Sequence, residues 1–310
     1  MERTKSKRTY KRAEVPPELL EATNLDLLDQ ILNMPGEQGD TYTRYVNLSF
    51  GNQALLMMQG VDEPVNTLKR WGEDYGRTVK KGSKAAYIRR PVFRKEENDQ
   101  GKEEQRLTGF VLSKSMIRAS DTEGEPLPAI ELPGWSETLA MQNLKVNEVP
   151  FEGHDGNVQG RSINRNYAIN PVARYPFKTK IHEWSHIEAG HTVPEAHADY
   201  LQHRGEREFE AEGSAYIVLN RLGALALFNA AESRHYVQTW MKDQKPSPES
   251  AGRVIRVAEK IIKAGRLAGW QAGRLAGWQA DGSGHFLTWP IKPPTSASTL
   301  ATARHLLHAQ

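Results

Sequence analysis

Five consecutive residues, His182-Glu183-Trp184-Ser185-His186, spell an H-E-x-x-H pattern. On a helix, imidazoles four positions apart share one face and can hold a single metal ion. The intervening carboxylate is then placed to take a proton from a water beside that ion. The chemistry is metal-dependent hydrolysis. A pattern this short also arises by chance in roughly a few per cent of chains of this length, and two surface histidines would read the same way, so the surroundings decide. A catalytic zinc takes three protein ligands and keeps a fourth position open. Downstream stand Glu208, Glu210 and Glu212. Glu208 and Glu212 are one helical turn apart and can both face the histidines, whereas Glu210 points elsewhere. The expected ligands are therefore His182, His186 and Glu208, with Glu212 behind them orienting one histidine; the reverse assignment of the two glutamates stays open. A solvated acidic face is the plain alternative. These carboxylates stand amid AEGSAYIVL, a run of buried character in which unpaired charge is costly.

Zinc is the expected ion: it would acidify a water, and Glu183 would take the proton and hand it to the leaving amine. Manganese or cobalt is not excluded by the residue types. His191, His197 and His203 are weaker ligand candidates, and His191, following Gly190, can instead close the helix end. Tyr200, Tyr216 and these histidines are the candidates for stabilising an oxyanion. The chain has no cysteine, which limits any metal to histidine and carboxylate ligands and agrees with a reducing compartment.

Elements must position these groups. From Pro176 to Leu222 the sequence reads as two helices joined by an irregular loop, followed by a helical run through ALALFNAAESRHYVQTWMKD. A last helix, GRVIRVAEKIIKAG, puts Val254, Val257, Ile261 and Ile262 on one face. Nearer the N-terminus, the leucines of 19–32 have helical spacing and TRYVNLSFGNQALLMMQG forms a second helix closed by Gly60. The stretch TVKKGSKAAYIRRPVFRK and the stretch RLTGFVLSKSMIRAS read as strands flanking a polar hairpin loop, EENDQGKEEQ. With 310 residues there is chain for two modest domains. The expected fold class is α+β: a basic tail at 1–15, a small mixed helix and antiparallel-sheet domain at 16–130, and a mainly helical domain of zincin type at 131–265. At 266–310 lies a weakly ordered tail with a tandem duplication, AGRLAGWQ at Ala264–Gln271 and again at Ala272–Gln279. One extra copy is too short for a solenoid and reads as a lengthened tail.

The net charge of +3 is too small to argue for nucleic acid, but its distribution is uneven. Between Lys69 and Arg94 lie nine lysines and arginines against Glu73 and Asp74. Arg70, Arg77, Lys80, Lys81, Lys84 and Arg89 are candidates for meeting phosphates. Trp71, with Tyr75 and Tyr87, is a candidate platform for unpaired bases. A solvated hairpin face over core aromatics would give the same pattern. Mean hydropathy is −0.64 and no apolar run approaches a membrane span; no signal peptide is recognisable, so a cytoplasmic location is expected.

The motifs HEWSHIEAGHT and HRGEREFEAEGSAYIV resemble the small zincins of ImmA/IrrE type, and in particular the peptidase half of ArdC-like antirestriction proteins. SFGNQALLMMQ, RWGEDYGRTVKKGSKAAYIRRPV and GFVLSKSMIRASDTEGEPLP follow the order of motifs in that family's N-terminal half. The resemblance spans roughly residues 40–262, but GFVLSKSMIRAS stands where the family usually carries a Phe-Asp strand end. It implies a single-stranded-DNA-binding domain joined to a zinc metallopeptidase domain, acting from a plasmid, phage or other mobile element against restriction. Its partners would be single-stranded DNA and a protein substrate or restriction enzyme. Two other functions fit the same residues: a DNA-binding protein that blocks restriction and keeps a structural or vestigial metal site, and a regulatory peptidase that cleaves a repressor.

Overall fold

A computed structural model describes residues 15–33, 48–97, 103–128, 134–153, 158–224, 227–244 and 246–267. The basic tail, apart from Val15, and the duplicated AGRLAGWQ, apart from its first four residues, lie outside the described residues. Helix boundaries follow their local chemistry. Helix α1 (Pro17–Glu21) precedes α2 (Asn24–Leu32), where Thr23 and Asp26 form a reciprocal capping box. Ser49 caps α3 (Phe50–Met58) by accepting from the Asn52 amide, and Gly60, at φ 64°, turns the chain away.

Strand β1 (Val65–Asn66) and helix α4 (Leu68–Tyr75) lead through β2 (Thr78–Val79) to a long antiparallel hairpin of β3 (Ala86–Glu97) and β4 (Glu103–Arg118). The strands reach further into the polar segment than its composition implies: Glu96 pairs with Glu104 and Glu97 with Glu103. Cross-strand ion pairs, Lys95 with Glu103 and Arg106 with Glu96, accompany this extension. The sheet order is β1-β4-β3, and β2 pairs separately with β5 (Thr122–Glu123).

Helix α5 (Glu137–Leu144) is followed by a second three-stranded sheet, ordered β6-β8-β7, of β6 (Asn147–Glu148), β7 (Gly160–Ile163) and β8 (Asn166–Ile169). Then come α6 (Pro176–Ala189), a short α7 (His197–Gln202), α8 (Arg204–Arg221), α9 (Ala230–Thr239) and α10 (Pro248–Gly265). The result is a mixture of helix and mostly antiparallel sheet, with β6 and β8 pairing in parallel, and it is compatible with the α+β expectation. The segment between α6 and α8 is shorter and more ordered than the irregular loop expected, because α7 fills it and α8 begins at Arg204.

Helix α10 organises the packing. Val254, Val257, Ile261 and Ile262 are buried as the spacing predicts, and the helix packs on α2, α5, α6 and α8. Residues from both sides of position 130 share one hydrophobic cluster: Leu27, Leu28, Ile31 and Leu32 of α2 and Tyr87 of β3 join Ile181, Trp184, Phe209 and the α10 residues. Polar links run the same way, with Asn24 Nδ2 donating to the Pro248 carbonyl at 3.0 Å and the Phe50 amide donating to Glu259 at 2.5 Å. Among the described residues no helix is long and apolar enough to cross a membrane.

Candidate metal centre

Helix α6 starts with Pro176 in its first turn and ends on Gly190, which takes the left-handed conformation at φ 82°. Proline lacks an amide hydrogen that the first turn cannot satisfy, and glycine reverses the chain without a Cβ penalty. Between them Ile181, Trp184 and Ile187 are buried. The Trp184 ring meets Tyr167 of β8 edge-on, with centroids 5.8 Å apart, which pins the helix to the second sheet. Across from α6 lies α8, and the candidate ligands stand between the two.

His182 Nε2 and His186 Nε2 are 3.1 Å apart. Glu208 Oε2 lies 3.4 Å from the first and 3.7 Å from the second. The three candidate ligand atoms lie within 4.8 Å of one another, close enough that one ion could be shared among them. Glu212 sits behind: its Oε2 is 3.1 Å from His182 Nδ1 and 2.9 Å from Lys178 Nζ, and Ser233 Oγ donates to its other oxygen. A carboxylate at Nδ1 holds the proton there and leaves the Nε2 lone pair facing Glu208 and His186. Two imidazole lone pairs and an anionic oxygen this close repel one another unless a proton or a metal cation lies among them. This donor set therefore fits a divalent metal.

The electrostatics say the same. Burial disfavours the charged form of His182, but hydrogen bonds to Glu208 and Glu212 outweigh it and push its pKa up to about 9. Burial likewise opposes ionisation of Glu208, yet the two histidines hold its carboxyl far below the usual range. Glu212 is drawn down to about 2 against its own burial, by His182 and then Lys178. The site is built to hold positive charge.

Glu183 is buried, and its Oε2 accepts a hydrogen bond from Ser162 Oγ of β7 at 2.6 Å. Close approach of that strand depends on Gly160, where an added Cβ would lie 2.7 Å from Thr179 Cγ2 and 2.9 Å from Glu183 Oε1. Tyr200 donates to Glu208 Oε1 at 2.7 Å, its pKa raised to about 12 by burial and then by that carboxylate. Tyr216 is buried away from the ligands and accepts from Arg234 Nε at 2.7 Å. His203 precedes α8 as its cap residue, and the side chain of His197 lies outside the described residues.

Two groups meet that the sequence does not link: His191, read there as a weaker ligand candidate or a residue closing the helix end, and Glu210, read as pointing elsewhere. His191 and Glu210 are both buried, with His191 Nδ1 2.9 Å from His186 Nδ1 and His191 Nε2 2.7 Å from Glu210 Oε2. The signal for His191 is Gly190: the left-handed turn returns the chain so that the His191 amide bonds the His186 carbonyl at 3.0 Å. Glu210 does point away from the ligands, towards Arg207, Ser250 and Arg253. A cavity of about 250 Å³ is lined by His191, Tyr200, Arg207 and Arg253.

In the basic segment the structure gives several candidates structural partners. Trp71 is 1% exposed and donates from Nε1 to the Ile117 carbonyl at 2.9 Å. So enclosed a ring packs α4 onto β4 and offers no face to a base; Tyr87 is likewise in the core. Arg77 bonds Thr122 Oγ1 at 2.7 Å, the Thr122 carbonyl at 3.1 Å and the Glu125 carbonyl, strapping β2 to β5. Lys80 donates to the Ser120 carbonyl at 2.8 Å, and Arg89 to the Ala22 carbonyl at 2.7 Å. Arg70 faces Asp74 at 3.9 Å. Arg70 and Lys80 are nonetheless exposed, as are Lys81 and Lys84 around the turn at Gly82.

Neither a protein-family model nor a curated protein sequence matches this chain. Among solved structures it is similar to the antirestriction protein ArdC from plasmid R388, in a metal-free form at 14% identity and TM-score 0.44. It is also similar to the Mn(II)-bound form of that protein, at 13% identity and TM-score 0.41. Each comparison covers 78% of this chain and 97% of the other.

Proposed function

We propose that this chain is a zinc-dependent peptidase whose N-terminal half binds single-stranded DNA, and that it serves a mobile element as an antirestriction protein. The observation that carries the peptidase reading is the convergence of His182 Nε2, His186 Nε2 and Glu208 Oε2 with Glu183 beside them on the same helix. A divalent cation held there would polarise a peptide carbonyl and acidify a water.

The chain's own groups do the rest. Glu183 is the base: Ser162 holds one oxygen and Gly160 lies against the other, so the carboxylate is fixed in one position. It accepts the proton of the attacking water and returns it to the departing amine. Glu212 keeps the His182 proton on Nδ1, and Tyr200 holds the second oxygen of Glu208. Strand β7 is at the edge of its sheet among the described residues, and an extended peptide added along it would pass Glu183.

Support for the DNA half comes from the sequence motifs and from Lys81 and Lys84, whose exposure at a glycine turn suits phosphate contact. The antirestriction setting rests on the motif resemblance. Three measurements on one preparation test the reading: zinc content, cleavage of a protein or peptide panel, and affinity for a single-stranded oligonucleotide at low salt. About one zinc per chain, lost in His182→Ala/His186→Ala, supports the centre. Cleavage lost in Glu183→Gln with zinc retained supports the base. Affinity unchanged in Lys81→Glu/Lys84→Glu would remove those lysines from the interface. Protection from restriction that survives Glu183→Gln would make binding, not hydrolysis, the antirestriction activity.

A further inference from the structure

We propose that His191, backed by Glu210, is a positioning residue that holds His186 in the tautomer able to bind metal. The inference rests on the metal-centre reading above and concerns residues that this reading leaves unused. His186 Nδ1 and His191 Nδ1 are 2.9 Å apart, so one carries a hydrogen and the other a lone pair. Glu210 decides which. Its Oε2 lies 2.7 Å from His191 Nε2, and a carboxylate only accepts, so the His191 proton sits on Nε2. A neutral imidazole has one such proton. His191 Nδ1 therefore presents its lone pair, and the proton between the rings belongs to His186 Nδ1. That leaves a lone pair on His186 Nε2, the atom facing His182 Nε2 at 3.1 Å and Glu208 Oε2 at 3.7 Å.

The relay is anchored beyond the two helices of the centre. Arg253 Nη1 reaches both oxygens of Glu210, at 3.1 and 3.0 Å, while Arg207 Nη1 lies at 3.1 Å and Ser250 Oγ donates at 2.8 Å. Glu210 is 1% exposed and His191 7%, so the contact between them is largely screened from bulk solvent. Ser250 and Arg253 belong to α10, which ties the orientation of a metal ligand to the helix that organises the core. His182 and His186 are thus each oriented at Nδ1, the first by Glu212 directly and the second through His191.

The test is zinc affinity, measured by competition with a chromophoric chelator on the full chain. Three variants separate the acceptor at the δ position from mere bulk or polarity: His191→Phe, His191→Gln and His191→Asn. Phenylalanine fills the space without an acceptor. Glutamine carries its amide at the ε position and can keep the bond to Glu210, whereas asparagine places an oxygen near the lost Nδ1. The expected result is a loss of about 10- to 100-fold for His191→Phe and His191→Gln, with His191→Asn staying near the parent. Melting temperatures of the metal-free proteins confirm folding, and the polar Gln and Asn pair decides the matter if the Phe variant does not fold. Parent-like affinity in His191→Gln, or equal losses in Gln and Asn, overturns the proposal. Absence of zinc binding in the parent chain would instead overturn the metal centre itself.

Discussion

If His182 binds a metal through Nε2 as proposed, its pKa, raised to about 9, makes proton and metal compete for one nitrogen, and the competition can be measured. Below about pH 9 the metal-free site holds a proton on the Nε2 that the metal needs. Each pH unit descended then costs tenfold in apparent affinity, or about 1.36 kcal/mol. Between pH 6.5 and pH 8 the expected gain in affinity is about 30-fold; a histidine left at an ordinary value near 6.5 would give only about twofold. The assay is zinc affinity across that range, with proton release read by calorimetry in buffers of different ionisation heat. A change of less than about threefold would refute the claim that Glu208 and Glu212 load the site with a proton.

The same displacement sets a stability trend for the metal-free protein. Its sign follows from a folded pKa above the unfolded value of 6.5: the contribution is complete below about 6.5 and lost as pH rises through about 9. Seen from Glu212, whose carboxyl is drawn from 4.5 to about 2, the same pair weakens as pH falls from 4.5 towards 2. The pair's contribution to stability is therefore complete between about pH 4.5 and 6.5. On the order of 3 kcal/mol is at stake on the alkaline side, so the metal-free melting temperature should drop between pH 6.5 and 9 while saturating zinc removes most of the drop.

Other outcomes follow from neighbouring contacts. Gly160→Ala puts a methyl group against Thr179 and Glu183, so steady-state cleavage should fall at least tenfold or so while zinc content stays constant; unchanged turnover would show that β7 yields freely. Ser162→Ala removes one hydrogen bond to Glu183 and should lower steady-state cleavage by about tenfold or less without loss of metal. Trp184→Ala empties a fully buried site and should cost about 3–5 kcal/mol in chemical denaturation. A smaller loss would mean that α6 is held by its ends rather than by Tyr167 and the core.

Period and punctuation made much of the fold legible. The α10 stripe, the helix between Pro176 and Gly190, and the hairpin strands are where spacing and turn residues put them. What spacing could not convey is which surfaces meet. Nothing local in Leu27 or Leu28 says that α2 packs on α10, because that contact is made over more than two hundred residues of chain. The basic segment reads ambiguously for a related reason. Arginine and lysine look alike on paper whether they face solvent or reach back to a carbonyl, and Arg77, Lys80 and Arg89 reach back. The chain turns there leave backbone oxygens that long cationic side chains can satisfy.

The centre divides along the same line. His182, His186, Glu208 and Glu212 share a face by the four-residue rule, and the structure brings all four together. Glu210, two residues from each of its neighbouring glutamates, must by that rule look to the other side of α8. Sequence reasoning stops there, because the partner on that side is supplied by α10 and by a glycine-driven reversal after α6. Yet three of the four carboxylates of α8, Glu208, Glu210 and Glu212, alternate between two faces and could serve one proposed metal centre from both. Glu208 and Glu212 contact the ligand nitrogens or their backs directly, while Glu210 secures His191 from the opposite flank and so reaches His186 indirectly. The clustering of charge in a buried helix is then explained residue by residue. Each of Glu208, Glu210 and Glu212 is matched by a histidine, and each of those histidines either faces the proposed metal position or contacts one that does.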